Sequence, residues 1–142
     1  NELARIHAIW TLEGLGILKA DLVQSLGKDS NPRIRIHAMR AGETLYKAGD
    51  KTLGTLYQTL LKDANTDVCI QAMLSGKALQ LPDLDNSLKT AMSTHSAEGV
   101  KLVATQIITP IKMRNAAPVA EFSKEQKAIT LLNSWQFLFT TG

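Results

Sequence analysis

Residues 31–45 read NPRIRIHAMRAGETL, and this stretch decides the fold. Asn31 is a favoured helix cap and Pro32 suits the first helical turn, so the stretch predicts the start of a helix. Small residues on or beside the apolar side would let neighbouring helices approach closely. The apolar side follows a helical spacing through Ile34, Ala38, Ala41 and Leu45.

The same stretch is repeated along the chain. Arg35-Ile36-His37-Ala38 matches Arg5-Ile6-His7-Ala8, a third copy starts at Asn65, and a weaker fourth copy includes Val100. A second set of matching positions lies between these copies: Leu22, Leu26, Lys28 and Asp29 match Leu56, Leu60, Lys62 and Asp63. Two alternating sets of matching positions, each with a period of about thirty residues, indicate stacked structural repeats.

Each repeat is expected to contain two helices. In the second repeat Gly49-Asp50 interrupts the first helix, and Asp50 can cap the next one. The buried stripe predicted for that second helix is Leu53, Leu56, Tyr57, Leu60 and Leu61. Because one such hairpin cannot bury its own apolar face, the units must stack. The sequence predicts an all-α fold, an α-solenoid of three to four helical hairpins over residues 1–108 plus a C-terminal helix.

The C-terminal part of the chain has a different pattern. Residues 109–122 are expected to form a linker, and residues 123–142 an amphipathic helix that opens with a capping box at Ser123 and Gln126. Its apolar stripe could fold over the open end of the repeats, dock onto a neighbouring domain, or lie on a membrane surface. The residues predicted to dock are Leu131, Trp135, Leu138 and Phe139.

Composition excludes several classes of protein. The 142 residues carry a formal net charge of only +3, less than a dedicated nucleic-acid binder usually has. No apolar run reaches the roughly eighteen residues of a membrane span. The single cysteine, Cys69, excludes an internal disulfide framework and a multi-cysteine metal site. Because the chain begins at Asn1, we expect it to be a piece of a larger polypeptide.

The repeat resembles a known family. The period and the Asn-Pro-x-Ile-Arg-x-x-Ala start at Asn31 resemble the short HEAT-like repeats of the phycobilisome-lyase type, over residues 1 to about 108. Residues 4–16 are also similar to the opening of the helical segment in large bacterial dehydrogenase-like proteins. The resemblance implies a sugar-dehydrogenase-type propeller before such a segment and a c-type cytochrome domain after it.

That second resemblance carries expectations about cofactor and compartment. The chain has no Cys-x-x-Cys-His, so haem is implied only for an adjacent domain and no cofactor is expected in this chain. A periplasmic or otherwise extracytoplasmic location would follow from the resemblance alone. The compartment is otherwise left open.

Few residues could carry chemistry. His7 and His37 are equivalent positions one repeat apart, but the later repeats have Gln71 and Val103 there, so a surface position is favoured over a metal or haem site. Cys69 is expected to be a partly buried structural thiol, and Glu13 and Glu43 a repeated structural position. The aspartates Asp29 and Asp63 and the arginines Arg5 and Arg35 are expected to pair as a ladder, and His95 to be exposed.

These observations favour a non-catalytic scaffold that binds proteins or neighbouring domains of the same polypeptide. The predicted contacts lie on the second helices, at Gln24, Lys28, Gln58 and Lys62. Two alternatives are a nucleic-acid-binding HEAT-like domain and a tetrapyrrole lyase-like enzyme. The first is disfavoured because aspartates, among them Asp21, accompany the lysines; the second lacks a visible acid/base constellation.

Overall fold

A computed structural model describes residues 1–110, which form one compact unit, Asn1–Pro110. This unit is all-helical, as predicted, and contains no strand. Seven α-helices and one 3-10 turn, Lys51–Leu53, make up its described residues. The helices are α1 (Glu2–Gly14), α2 (Ala20–Leu26), α3 (Pro32–Lys47), α4 (Gly54–Leu60), α5 (Thr66–Leu79), α6 (Leu84–Thr94) and α7 (Glu98–Ile108).

Asparagines begin three of the longer helices in the same way. The side chains of Asn1, Asn31 and Asn65 each accept a hydrogen bond from the backbone N–H two residues ahead. Each bond satisfies one of the N–H groups that a helix start leaves without an intrahelical partner. Pro32 occupies the first helical turn of α3, as the sequence predicted. The repeated asparagine therefore fixes where α1, α3 and α5 start.

The odd-numbered helices form one layer, in which α3 packs between α1 and α5, and α5 packs between α3 and α7. Equivalent positions of the repeat fill the contacts. The six residues at two of these positions are all fully buried: Ile34, Val68, Val100, Ala38, Ala72 and Ala104. The small alanines allow close approach between the helices, and the β-branched residues fill the space beside them.

The even-numbered helices, called the second layer below, pack against the odd-numbered ones: α2 on α3, α4 on α5 and α6 on α7. The predicted stripe of the second repeat is confirmed, since Leu53, Leu56, Tyr57, Leu60 and Leu61 are all buried. Asp50 caps the 3-10 turn that leads into α4, accepting from the Thr52 N–H at 3.1 Å. The residue after α2, Gly27, lies so close to α4 that a Cβ there would meet Leu56 Cδ1 at 2.6 Å. Any larger residue at Gly27 would therefore require the Leu56 side chain to move.

The fourth copy of the repeat is only partly buried. Val100 and Ala104 lie in the core, but Leu102 is 63% exposed within the compact unit. Residues 111–142 lie outside the described residues, and so do most of the predicted linker and the predicted helix with Leu131, Trp135, Leu138 and Phe139. Within residues 1–110, no helix is both long enough and apolar enough to cross a membrane.

Candidate protein-interaction surface

The predicted partner contacts lie on the second layer. Gln24 and Lys28 line a depression of about 180 Å³ between α2 and α4, together with Thr55 and Thr59. Gln58 lines the neighbouring pocket. Lys62 is exposed just after α4 and lines neither concavity. The structure thus places three of the four predicted residues in two adjacent concavities.

The neighbouring pocket is larger, about 690 Å³, and is lined by Tyr46, Lys51, Gly54, Thr55, Gln58 and Pro82. Thr55 belongs to both concavities and separates them. The ammonium group of Lys51 lies 3.8 Å from the centroid of the Tyr46 ring and donates to the Tyr46 carbonyl at 2.9 Å. This cation–π contact and hydrogen bond hold a positive charge in a fixed position at the pocket.

The amide of Gln58 is already used inside the protein. Its Nε2 donates to the Pro82 carbonyl at 3.0 Å, and its Oε1 accepts from Ser87 Oγ at 2.8 Å. The first bond joins α4 to the segment that leads into α6, and the second joins α4 to α6 itself. Gln58 therefore positions Pro82 at the pocket wall, and the neighbouring Thr55 is exposed.

The predicted ladder of arginines and aspartates is present on the first layer. Arg35 Nε and Nη2 donate to the two carboxylate oxygens of Asp63, each at 2.9 Å, and Arg5 pairs with Asp29. Arg35 also donates to the Asp29 carbonyl at 2.7 Å, which links one pair to the next. The hydrogen bond from Arg5, followed by the Asn31 N–H, holds the pKa of Asp29 below its usual value.

This pairing changes the charge balance of the second layer. Aspartates lie close to the lysines in sequence, but Arg35 neutralises Asp63, and Arg5 neutralises Asp29. Asp21 is exposed and Asp50 caps the 3-10 turn, but neither lines a concavity. Among the residues that line the two concavities, Lys28 and Lys51 are charged and none is acidic. The two concavities are therefore locally basic.

The two repeated histidines differ in their surroundings. His7 is exposed, whereas His37 is half-buried and accepts a hydrogen bond at Nδ1 from Trp10 Nε1 at 3.1 Å. Burial, followed by the charges of Arg40 and Arg33, lowers the pKa of His37, and Glu2 opposes this. The Trp10–His37 pair joins α1 to α3, a contact that sequence reasoning did not predict.

The lone cysteine is more deeply buried than the partly buried structural thiol that the sequence predicted. Cys69 is fully buried and its Sγ donates to the Leu61 carbonyl at 3.1 Å. Burial raises the pKa of the thiol, and the charge of Asp63 raises it further, so the nucleophilic thiolate is disfavoured.

The expectation that His95 is exposed was wrong. His95 is half-buried, its Nδ1 accepts from the Ala97 N–H at 3.3 Å, and its Nε2 is closed off from solvent. His95 lies two residues before the capping residue of its helix. Asp29 and Asp63 have the same position in the earlier repeats, and each accepts a hydrogen bond from the N–H of the capping residue at 2.9 Å. His95 therefore serves as an acceptor for the cap N–H, as the two aspartates do.

Glu43 has a specific partner on α5. Its Oε1 accepts from the buried Ser75 Oγ at 2.6 Å, and Gln71 Nε2 donates to the same serine oxygen at 3.2 Å. This polar chain lies between α3 and α5. Because only 1% of Ser75 is exposed, these hydrogen bonds hold α3 and α5 together and are not available to a ligand.

Residues 1–110 contain no group of three histidine, cysteine or acidic side chains placed to hold a metal ion. Comparisons of the chain with protein-family models, with curated proteins and with solved structures found no significant match.

Sequence reasoning missed Tyr46, Lys51 and Pro82 as members of the pocket. They come from the end of α3, the 3-10 turn and the loop before α6, so no periodic pattern connects them. The signals available were weak: Pro82 follows a helix end, and Lys51 follows the capping Asp50. Only the packing of three segments makes them neighbours.

Proposed function

We propose that this chain is a non-catalytic helical scaffold that binds a protein partner, or a neighbouring domain of its own polypeptide, across the second layer. The observation that carries the proposal is the pair of adjacent basic concavities on either side of Thr55. Concave sites with an apolar lining and a few fixed polar groups are where ligands usually bind. The ladder arginines of the first layer, Arg5 and Arg35, are paired with Asp29 and Asp63, which leaves the second layer as the better candidate.

The proposal includes a finer assignment of the fold. The repeated caps, the equivalent buried positions and the order of packing α1–α3–α5–α7 support an α-solenoid of HEAT-like hairpins. Solenoids of this kind present extended surfaces to partners, whereas the fold by itself defines no chemistry. The resemblance of residues 4–16 further supports a place in a multidomain redox protein with haem in an adjacent domain.

The binding surface can be tested by charge reversal in the 142-residue chain. A Lys28→Glu, Lys62→Glu variant changes two equivalent exposed lysines of the second layer. Partners of the wild-type chain would be captured from its native host and quantified by mass spectrometry. We expect the enriched partner to be lost from the variant, because two repulsive charges replace two attractive ones.

Lys47→Glu, Lys77→Glu is the matched control, since both lysines are exposed near the ends of first-layer helices. This control variant should retain the partner, and circular dichroism should show the same helicity for all three proteins. Equal loss of the partner from both variants would reject the second layer as the binding surface.

The place in a redox protein has a separate test. The native polypeptide that contains this chain would be purified, its intact mass measured and its absorption spectrum recorded. A much larger mass with a covalent haem band is expected. A mass near that of this chain without a chromophore would reject the redox assignment and leave the scaffold proposal standing.

A further inference from the structure

The two concavities differ in chemistry, and the difference points to one kind of partner segment. We propose, on the basis of the scaffold function above, that they bind an extended acidic peptide with a bulky apolar side chain. The apolar side chain enters the pocket formed by Tyr46 and Pro82, and flanking carboxylates bind Lys51 and Lys28. Thr55 lies under the peptide between the two sites.

The larger pocket suits an apolar side chain. Tyr46 is fixed by an edge-to-face contact with the buried Tyr57, with ring centroids 5.9 Å apart. Pro82 is exposed and is fixed by the hydrogen bond from Gln58 to its carbonyl. Because neither wall must become ordered on binding, an entering leucine-sized or aromatic side chain would lose little affinity to rearrangement of the protein.

Lys51 supplies the first carboxylate contact. One of the three donors of its ammonium group is used by the Tyr46 carbonyl, and the cation rests against the Tyr46 ring. The remaining donors lie at the pocket, where a partner's carboxylate could form charge-assisted hydrogen bonds. The charge is held in place before binding, which gives it directional value that a freely mobile surface lysine lacks.

The smaller depression suits a polar side chain. About 180 Å³ is available beside Lys28, with the hydroxyls of Thr55 and Thr59 and the amide of Gln24 at its walls. Gly27 and Leu56 form its floor, and their close contact closes the depression from below. An aspartate or glutamate side chain would find the Lys28 cation and the Gln24 amide as donors there, since the hydroxyls of Thr55 and Thr59 already donate to backbone carbonyls.

Charge complementarity favours an acidic segment over a basic or neutral one. The two concavities contain Lys28 and Lys51 without an acidic lining residue, and the closest loop acid in sequence to Lys28, Asp29, is held by Arg5. Attraction between such groups weakens as salt is added, since the Debye length shortens. An apolar contact in the same complex does not weaken in this way, so the complex should keep part of its affinity in salt.

The test uses the full 142-residue chain and blocked, fluorescent nine-residue peptides. Each peptide carries one leucine and two aspartates in a glycine-serine background, with one to four residues between leucine and aspartate. Fluorescence anisotropy measures binding at low and high salt. We expect at least one spacing to bind, and its affinity to fall at least ten-fold when leucine becomes alanine or both aspartates become asparagine.

Protein variants then locate the site. Lys51→Met and Lys28→Met keep the apolar stems and should each weaken the best peptide at least five-fold. Lys47→Met and Lys77→Met are the controls and should leave the affinity unchanged. Because Lys51 also bonds to Tyr46, the peptide-side substitutions keep the result decisive if Lys51→Met lowers stability.

Three results would overturn the proposal: no peptide binds, all peptides bind equally, or the control variants weaken binding as much as Lys28→Met. Stronger binding of a labelled single-stranded oligonucleotide, lost in the same lysine variants, would assign the surface to nucleic acid instead. The scaffold function fails separately, because it depends on partner capture through Lys28 and Lys62. If capture succeeds and peptide binding fails, only the acidic-peptide assignment is rejected.

Discussion

At the scale of single residues, Gly42 shows how closely the two layers approach. It lies in α3, and a Cβ at this position would meet Val23 Cγ1 at 2.8 Å, with Leu53 Cδ1 and the Tyr57 hydroxyl both at 3.3 Å. All three neighbours are fully buried, and Tyr57 is further fixed by its hydrogen bond to the Met39 carbonyl at 2.9 Å. A Cβ at Gly42 would therefore force Val23 to shift within the buried core.

We therefore predict that Gly42→Ala destabilises the protein. Overpacking typically costs about 1–3 kcal/mol, and the gain in helix propensity from alanine, about 1 kcal/mol, offsets only part of that cost. Gly14→Ala is the control, because no atom lies within 4 Å of a Cβ there. Urea denaturation should show a lower midpoint for Gly42→Ala and an equal or higher one for Gly14→Ala. Equal midpoints for the two variants would show that Val23 can move aside.

At the scale of helices, the ladder joins successive repeats through Arg35. We predict that Arg35→Met lowers the free energy of unfolding by about 2 kcal/mol, because it breaks charge-assisted bonds to Asp63, which is partly buried. The side chains of this pair are 15% and 13% exposed. Arg33→Met removes a neighbouring ion pair with Glu2, whose side chains are 68% and 35% exposed, and should cost less than 1 kcal/mol. A loss as small for Arg35 as for Arg33 would contradict a structural role for the ladder.

The stability of the protein should depend on pH through His37, which lies at the contact between α1 and α3. The folded-state pKa of His37 lies below its ordinary value of 6.5, so the unfolded chain binds the proton more readily than the folded one. Stability should therefore fall as the pH drops below about 6.5. The pKa of Asp29 is also lowered in the folded state, so stability should fall further as the pH drops below the ordinary aspartate pKa of 3.8.

His37→Asn tests the first of these losses. Asparagine keeps an acceptor near the position of Nδ1 but does not titrate, so the fall in melting temperature between pH 6.5 and 5 should shrink. His7→Asn replaces the exposed equivalent histidine and should leave that fall unchanged. A profile unchanged in His37→Asn would assign the acid sensitivity to other groups.

At the scale of the whole unit, stability should vary with the number of neighbours. In residues 1–110, α3 and α5 each pack between two first-layer helices, whereas α1 and α7 each pack against one. Ala4 and Ala8 of α1 are exposed, although their equivalents in α3, Ile34 and Ala38, are fully buried. We predict slower amide hydrogen exchange in α3 and α5 than in α1 and α7. Uniform protection across the four helices would indicate a single cooperative unit without weaker ends.

The sequence alone determined the helical class, the helix starts at the repeated asparagines and the core stripes. These features are local or periodic: a cap bonds within three residues, and an apolar stripe follows the helical repeat. The same periodicity predicted the ladder of Arg5, Asp29, Arg35 and Asp63, because equivalent positions in stacked units recur side by side.

Tertiary structure alone decided the surface that can bind. The pocket brings together Tyr46, Lys51 and Pro82 from three segments with no common period, and the hydrogen bond from Trp10 to His37 joins two helices whose sequences do not predict it. Pairing with Arg5 and Arg35 also neutralised Asp29 and Asp63, two of the aspartates that accompany the lysines in sequence. Periodic positions are fixed by local geometry, whereas pockets and net surface charge depend on which distant side chains meet when the layers pack.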